Sequence, residues 1–383
     1  MKDQRFAGPL LRLLRLQQNW SQETLCHGIC TVSYLSKIEQ GKVDANTQLL
    51  SELFSRLNVT WQDSPEMETL RNDLLEGVFS GDRNYIQQKI KILEEKWDPL
   101  AIGPYYADFV VVRAFYYGDP QMVPKELEPV LDVRLQALVA LLRDQHEEAY
   151  RIYPCPLTAM CIGEEVLLKG NYTMSLEYLQ LAYDMASREG YAHMMLFAQH
   201  CMAASCSDIG NLDAMYRHSR IAERLARALN AEDVLKVIYY NIAATKVEFG
   251  DYESAYAYFT SLENPDALAL HKLAVCCEAM GRREEAILAL NQAEQADSEV
   301  VLKNEMCALV RYRLEHSDYL HDPEYGEMLL NTYHRIEKEL SSGFARFHLR
   351  WVTNWLTANR QYRKAYEIIN HFPEYRYSES LNM

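Results

Sequence analysis

The chain has 383 residues, 49% hydrophobic and 24% charged, an ordinary balance for a folded protein with room for two or more domains. A formal charge of −15 argues against a protein that coats nucleic acid, and no run of about 18 apolar residues offers a membrane span. The nine cysteines are odd in number and form no CxxC pair, which fits free thiols in a reducing cytoplasm better than a disulfide scaffold or a zinc site.

The N-terminal MKDQRFAGPLLRLLRLQQNW interrupts its apolar run with charges and has no small-residue cleavage site, unlike a secretory leader. Leu10, Leu11 and Leu14 repeat with helical spacing. Ser21 is a natural N-cap for a short helix over Gln22 to His27, with Leu25 facing inward. Gly28 suits a tight turn, Thr31 caps a second helix with Leu35 and Ile38 on its apolar stripe, and Gly41 stops it. Leu49, Leu50, Leu53 and Leu57 mark one more helix, so that four or five short helices share one small core. Residues 1–65 hold seven Lys and Arg against six Asp and Glu, a net +1 that leaves −16 on the remainder. Any contact with DNA must therefore be confined to the front of the chain and oriented by its acidic body.

Spacing alone predicts a helix-turn-helix, and the residues add a resemblance. The pattern S-Q-x-x-L-A, a turn, then S-x-x-S-x-I-E-x-G of the XRE-type helix-turn-helix is met at Ser21, Gln22, Leu25, Ser33, Ser36, Ile38, Glu39 and Gly41, with Cys26 where Ala is usual. The phrasing GICTVSYLSKIEQGK resembles more closely the subgroup fused to tetratricopeptide repeats, the RRNPP regulators of Rgg, NprR, PlcR and PrgX types. That resemblance implies binding to double-stranded DNA at a pseudo-palindromic operator. Thr31, Val32, Ser33, Tyr34 and Lys37 then face the major groove, Ser21 and Gln22 touch backbone or base, and Lys42 meets a phosphate. Arg15 and Glu39 are expected to pair across the small core. No arginine lies on the recognition helix for a bidentate guanine contact, so specificity falls to Gln22, the hydroxyls, a thymine-methyl contact by Val32 and DNA shape.

Gln62-Asp63-Ser64-Pro65 breaks the helical pattern. The expected division is a helix-turn-helix domain over 1–62, a linker over 63–70, and a tetratricopeptide-like repeat domain over 71–383. Four turns recur with similar neighbours, in KGNYTMSLEYLQLA, IGNLDAMYRHSRIA, FGDYESAYAYFTSL and MGRREEAILALNQA, around Gly170, Gly210, Gly250 and Gly281. Small or apolar residues follow at fixed offsets, such as Ala255 with Phe259 and Ala286 with Leu290 and Ala293, as paired repeat helices require. Weaker units are VFSGDRNYIQQKIKILEEKW, VRLQALVALLRDQHEEAYRIY, an irregular pair over 300–340, and LRWVTNWLTANRQYRKAYEII. Seven or so pairs predict an all-α superhelix with a concave face.

Counting back from the turn glycines places Met160, Glu164, Phe197, His200, Tyr240, Asn241, Ala244, His271, Lys272 and Val275 inward, with Phe347, Arg350 and Asn354 in the last pair. The resemblance implies a short signalling peptide in this groove. The candidate contacts are His200, Tyr240, Asn241, His271, Lys272, Arg350 and Asn354. An asparagine amide can both donate to and accept from a peptide backbone, and Lys272 or Arg350 can hold a free carboxylate. The resemblance also implies a homodimer through the C-terminal repeats, with Trp351, Trp355 and Tyr366 as an apolar patch. His146-Glu147-Glu148-Ala149-Tyr150 lacks the second histidine of a zinc-protease helix. Cys276-Cys277 reads as two helix positions, one of them buried. The expectation is a cytoplasmic, non-enzymatic transcription regulator of cell–cell signalling without cofactor or metal. The alternatives are a repeat scaffold that sequesters a protein partner and a phage lysis–lysogeny regulator of the same architecture. Relatives of Rap type, which act on response regulators, lack this helix-turn-helix.

Overall fold

A computed structural model describes residues 7–61, 65–97, 103–296 and 300–370. The described residues form helices and turns with no strand, and the fold is all-α, a helix-turn-helix followed by a helical repeat-like region. The chain divides into two compact units, Met1–Ile162 with Leu181–Met194, and Gly163–Gln180 with Met195–Met383.

The first unit opens with α1 (Ala7–Gln17), α2 (Gln22–Cys26), α3 (Val32–Glu39) and α4 (Thr47–Arg56). The Ser21 hydroxyl accepts from the Thr24 N–H at 3.0 Å, Thr31 accepts from Tyr34 N–H at 3.2 Å, and Asn46 accepts from Leu49 N–H at 2.8 Å. Each cap satisfies an N–H that a helix start leaves open. Leu10, Leu11, Leu14, Leu25, Leu35, Ile38, Leu50, Leu53 and Leu57 are buried together, and Phe54 stacks on Trp61 at 4.2 Å. At Gly8 the backbones of α1 and α3 meet so closely that a Cβ would lie 1.8 Å from the Ile38 carbonyl oxygen.

Gln62, Asp63 and Ser64 of the expected linker lie outside the described residues, as do residues 1–6. From Pro65 onward the segment is helical, α5 (Pro65–Ser80), because proline starts a helix well and Glu66 and Glu68 favour its positive end. The unit continues through α6 (Arg83–Glu95), α7 (Tyr106–Tyr117), α8 (Val133–Leu142) and α9 (His146–Ile152).

Beyond these, helices come in pairs: α10 (Pro156–Leu168) with α11 (Tyr172–Glu189), α12 (Ala192–Asp208) with α13 (Leu212–Ala228), α14 (Glu232–Glu248) with α15 (Tyr252–Thr260), and α16 (Ala267–Ala279) with α17 (Arg283–Gln295). The four turn glycines join these pairs at φ +79°, +78°, +85° and +74°. After each, the next N–H reaches back five residues: Asn171 to Val166, Asn211 to Cys206, Asp251 to Lys246, and Arg282 to Cys277, at 2.8 to 2.9 Å. The glycine thus closes one helix, and Asn171, Asn211 and Asp251 then cap the next with their side chains. Ala255, Phe259, Ala286, Leu290 and Ala293 are buried where the helices cross. The irregular region is α18 (Lys303–Glu315) with α19 (Pro323–Glu339), and the last pair is α20 (Ser342–Ala358) with α21 (Tyr362–Asn370).

Two expectations about packing change. Cys276 and Cys277 are both buried, since α16 packs against α14, α15, α17 and α18 and two adjacent positions about 100° apart both fall within its covered side. Trp355 is only 7% exposed, its Nε1 donating to the Asp322 carbonyl at 3.2 Å across the bare backbone of Gly326, so it belongs to the core and not to a surface patch. Trp351 is half-buried beneath the Arg313 guanidinium at 3.8 Å, while Tyr366 is 59% exposed.

Candidate functional site

In the first unit, α3 carries an exposed row at its start: Thr31, Val32, Ser33 and Tyr34, followed one turn later by Lys37 and then by Lys42 after the helix stop. Leu35, Ile38 and Glu39 face inward, so the helix turns one side to the core and the other outward. Its orientation is set from below. Arg15 on α1 donates to both oxygens of Glu39 at 2.6 and 2.9 Å, and also to the Trp20 carbonyl at 2.7 Å. The side chains are 9% and 2% exposed, so this is a buried bidentate ion pair. The Glu39 contact raises the Arg15 pKa.

Gln22 stands half-buried at the start of α2 and donates its amide to Glu39 at 2.8 Å, which leaves its carbonyl oxygen free of that bond. The Ser21 hydroxyl is engaged as a cap and shares a 2.8 Å hydrogen bond with Thr24. What this head can do chemically is present hydroxyls, one aliphatic group, one phenol and two ammonium groups on a rigid helix edge.

In the second unit, a cavity of ≈ 320 Å³ is walled by the first helices of successive pairs. Leu167 and Leu168 come from α10, His200, Ala203, Ser207 and Asp208 from α12, and Tyr240, Asn241, Ala244, Thr245 and Glu248 from α14. Leu268 and Lys272 of α16, Phe344 and Phe347 of α20, and Met215 and Ser219 of the second helix α13 also line it. The inward positions His200, Tyr240, Asn241, Ala244, Lys272 and Phe347 thus meet at one place. The Lys272 ammonium sits 3.6 Å from the centre of the Phe347 ring, and burial, opposed by Glu248, lowers its pKa to about 8. Burial also pushes His200 below its ordinary range. Tyr240 packs edge-on to Phe259 at 5.8 Å, and its buried hydroxyl has no hydrogen-bond partner among the described residues.

Three residues that sequence reasoning missed form one ion-paired group, two of them in the cavity lining. Arg346, buried on α20, bonds Asp208 of α12 at 3.2 Å and Glu248 of α14. Burial first, and then the Glu248 charge, raise the Asp208 pKa to about 6 against the pull of Arg346. Above this group Tyr172 donates to Ser342 at 3.2 Å. Partners 98 to 170 residues apart leave no signal in local spacing.

Arg350 and Asn354 line a second cavity of ≈ 750 Å³, with Val275 and Trp351, where Arg313 grips Glu278 through two 2.6 Å hydrogen bonds. His271 lines neither cavity. It is 2% exposed and packed among Phe347, His348 and Trp351, because it lies about 100° round α16 from Lys272. Met160 is buried and Glu164 accepts from the Cys201 thiol; neither borders the smaller cavity.

Residues 11–63 match the helix-turn-helix family model. Among solved structures, Bacillus thuringiensis PlcR in complex with the peptide PapR7 and DNA aligns over 95% of this chain and 99% of that chain at 12% identity. The TM-score of that alignment is 0.19. No curated relative matches the chain in sequence. No helix among the described residues is long and apolar enough to cross a membrane.

Proposed function

We propose that this chain, whose front is a helix-turn-helix, is a sequence-specific transcription regulator of RRNPP type. Its hold on DNA is controlled by a short signalling peptide bound in the repeat region. In this reading a head over 1–62 is followed by a peptide-binding and dimerising repeat domain that begins with α5. The observation that carries the reading is the outward row Thr31, Val32, Ser33, Tyr34 and Lys37, fixed on a helix whose inner side is pinned by Arg15 and Glu39. Hydroxyls serve base edges or phosphates, Val32 offers a methyl contact to thymine, and Lys37 and Lys42 supply charge for phosphates.

The repeat cavity supports the peptide half. An extended peptide brings backbone groups that lose water on binding and need partners, and Asn241 can pair with both an N–H and a C=O. Arg350 and Asn354 belong to the larger cavity, which shares α16 and α20 with the smaller one and so extends the ligand path along those helices. The protein acts as a cytoplasmic homodimer, with exposed Tyr362 and Tyr366 of α21 in the contact between copies. Peptide binding shifts the dimer between arrangements that space the two heads differently.

The test is to sequence the DNA retained by the pure protein from a randomised duplex pool, with and without a pool of short synthetic peptides. A single enriched two-fold motif whose recovery changes with peptide is the expected result. Recovery of no motif under either condition overturns the reading.

A further inference from the structure

The cavity beside α14 asks for more than a peptide of any kind. Lys272 lines it and makes no ion pair among the described residues; its ammonium lies over the face of Phe347 and feels the Glu248 charge without pairing with it. The two carboxylates in the same lining, Asp208 and Glu248, are both bonded by Arg346. Of the neighbouring hydroxyls, Ser207 is engaged with Thr245 at 2.8 Å and Ser342 with Tyr172, while that of Tyr240 has no partner among the described residues. Asn241 gives its backbone carbonyl to the Thr245 hydroxyl at 2.9 Å, and its side-chain amide has no hydrogen bond among the described residues. The rest of the wall is apolar, with Ala203, Met215 and Ile238. A half-buried ammonium packed on an aromatic ring, helped only by a Glu248 carboxylate already bonded to Arg346, is a charge poorly compensated, and burial has already weakened its hold on the proton. An anion placed there restores what water supplied.

We propose that this cavity binds a carboxylate of the ligand against the Lys272 ammonium, while Asn241 pairs with the adjoining peptide group and an apolar side chain fills the space beside Met215. This rests on the peptide reading above and names the chemistry that reading leaves open. The carboxylate comes either from a free C-terminus or from an Asp or Glu side chain. In both cases it forms a charge-assisted hydrogen bond shielded from water, where such bonds are strongest.

Two N-acetylated random pentapeptide libraries, one with a free C-terminal acid and one with a C-terminal amide, distinguish the sources. Each is incubated with the full chain, and retained peptides are sequenced by mass spectrometry. Free-acid peptides are expected to be retained at least tenfold better than their amides if the C-terminus is the source. Retention of amides confined to sequences containing Asp or Glu assigns the side chain instead. In Lys272→Met, which keeps the alkyl stem over Phe347, the preference for a carboxylate is expected to vanish, and Lys272→Arg is expected to restore much of it. Near-ultraviolet circular dichroism checks that both variants are folded. Equal retention of amides lacking Asp and Glu, or an undiminished carboxylate preference in folded Lys272→Met, overturns the proposal and leaves peptide binding intact. If the wild-type chain retains no peptide from either library, the peptide reading falls and this assignment falls with it.

Discussion

The Arg15–Glu39 pair and the cavity asparagine make opposite demands on a substitution. Arg15→Ala leaves a buried carboxylate whose remaining donor is Gln22, so it is expected to destabilise the head by about 3–5 kcal/mol, read as loss of its thermal transition. Asn241→Ala removes no bond of the folded chain by its side chain. It is expected to weaken peptide binding roughly 5- to 150-fold, the cost of one or two unpaired backbone groups, with peptide-free DNA affinity unchanged by calorimetry. Asp208 adds a pH dependence. Its folded pKa of about 6 lies above the ordinary 3.8, so its carboxyl favours the folded state in acid, and that contribution is lost as pH rises through the folded value. Asp208→Asn should therefore abolish a fall in thermal stability between pH ~4 and ~6. Arg15 and Glu39 could be paired from sequence because the resemblance implies an arginine on the first helix facing a glutamate at the end of α3, whereas nothing matched Arg346 to Asp208.

Elements were legible where local chemistry repeats. Gly170, Gly210, Gly250 and Gly281 announce their turns because only glycine takes a positive φ without strain, and an Asn or Asp cap follows three of them. Asp144, Asn230 and Arg360 make the same closure at φ +53° to +58°, with N–H groups reaching back five residues, yet no glycine marks them. Residues 65–70 read as a linker because Pro65 follows polar residues, although proline there starts a helix. The α1–α3 contact yields a prediction at this scale. A methyl at Gly8 would fall on the Ile38 carbonyl, and neither backbone can step aside without moving the recognition helix. Gly8→Ala is expected to cost the head at least ~1–3 kcal/mol and to abolish specific DNA binding, while far-ultraviolet helicity of the repeats persists. Retention of operator affinity in this variant would show that α3 is not held by α1.

For the molecule as a whole, a head of net charge +1 on a body of −16 makes few phosphate contacts, so two heads per operator are expected. Light scattering should give a dimer on operator DNA, and Ser33→Ala with Lys37→Ala should remove specific binding. Lys37→Ala alone should flatten the salt dependence by roughly one unit of slope. The inward register of the first helices could be read from sequence at His200, Tyr240, Asn241, Ala244 and Lys272 but not at Met160, Glu164 or His271, and the return of α20 to α12 and α14 could not be read at all, since the partners stand 138 and 98 residues apart. That return has a consequence for synthesis. On the ribosome, Tyr172 emerges some 170 residues before Ser342, roughly ten to thirty seconds at ordinary elongation rates. Within that time Asp208, once made, waits 138 residues for its arginine, and the apolar wall around Met215 has no cover until Phe344 and Phe347 follow. A nascent chain stalled before α20 is therefore a natural client for chaperones, and one released there should be degraded faster than the full-length protein.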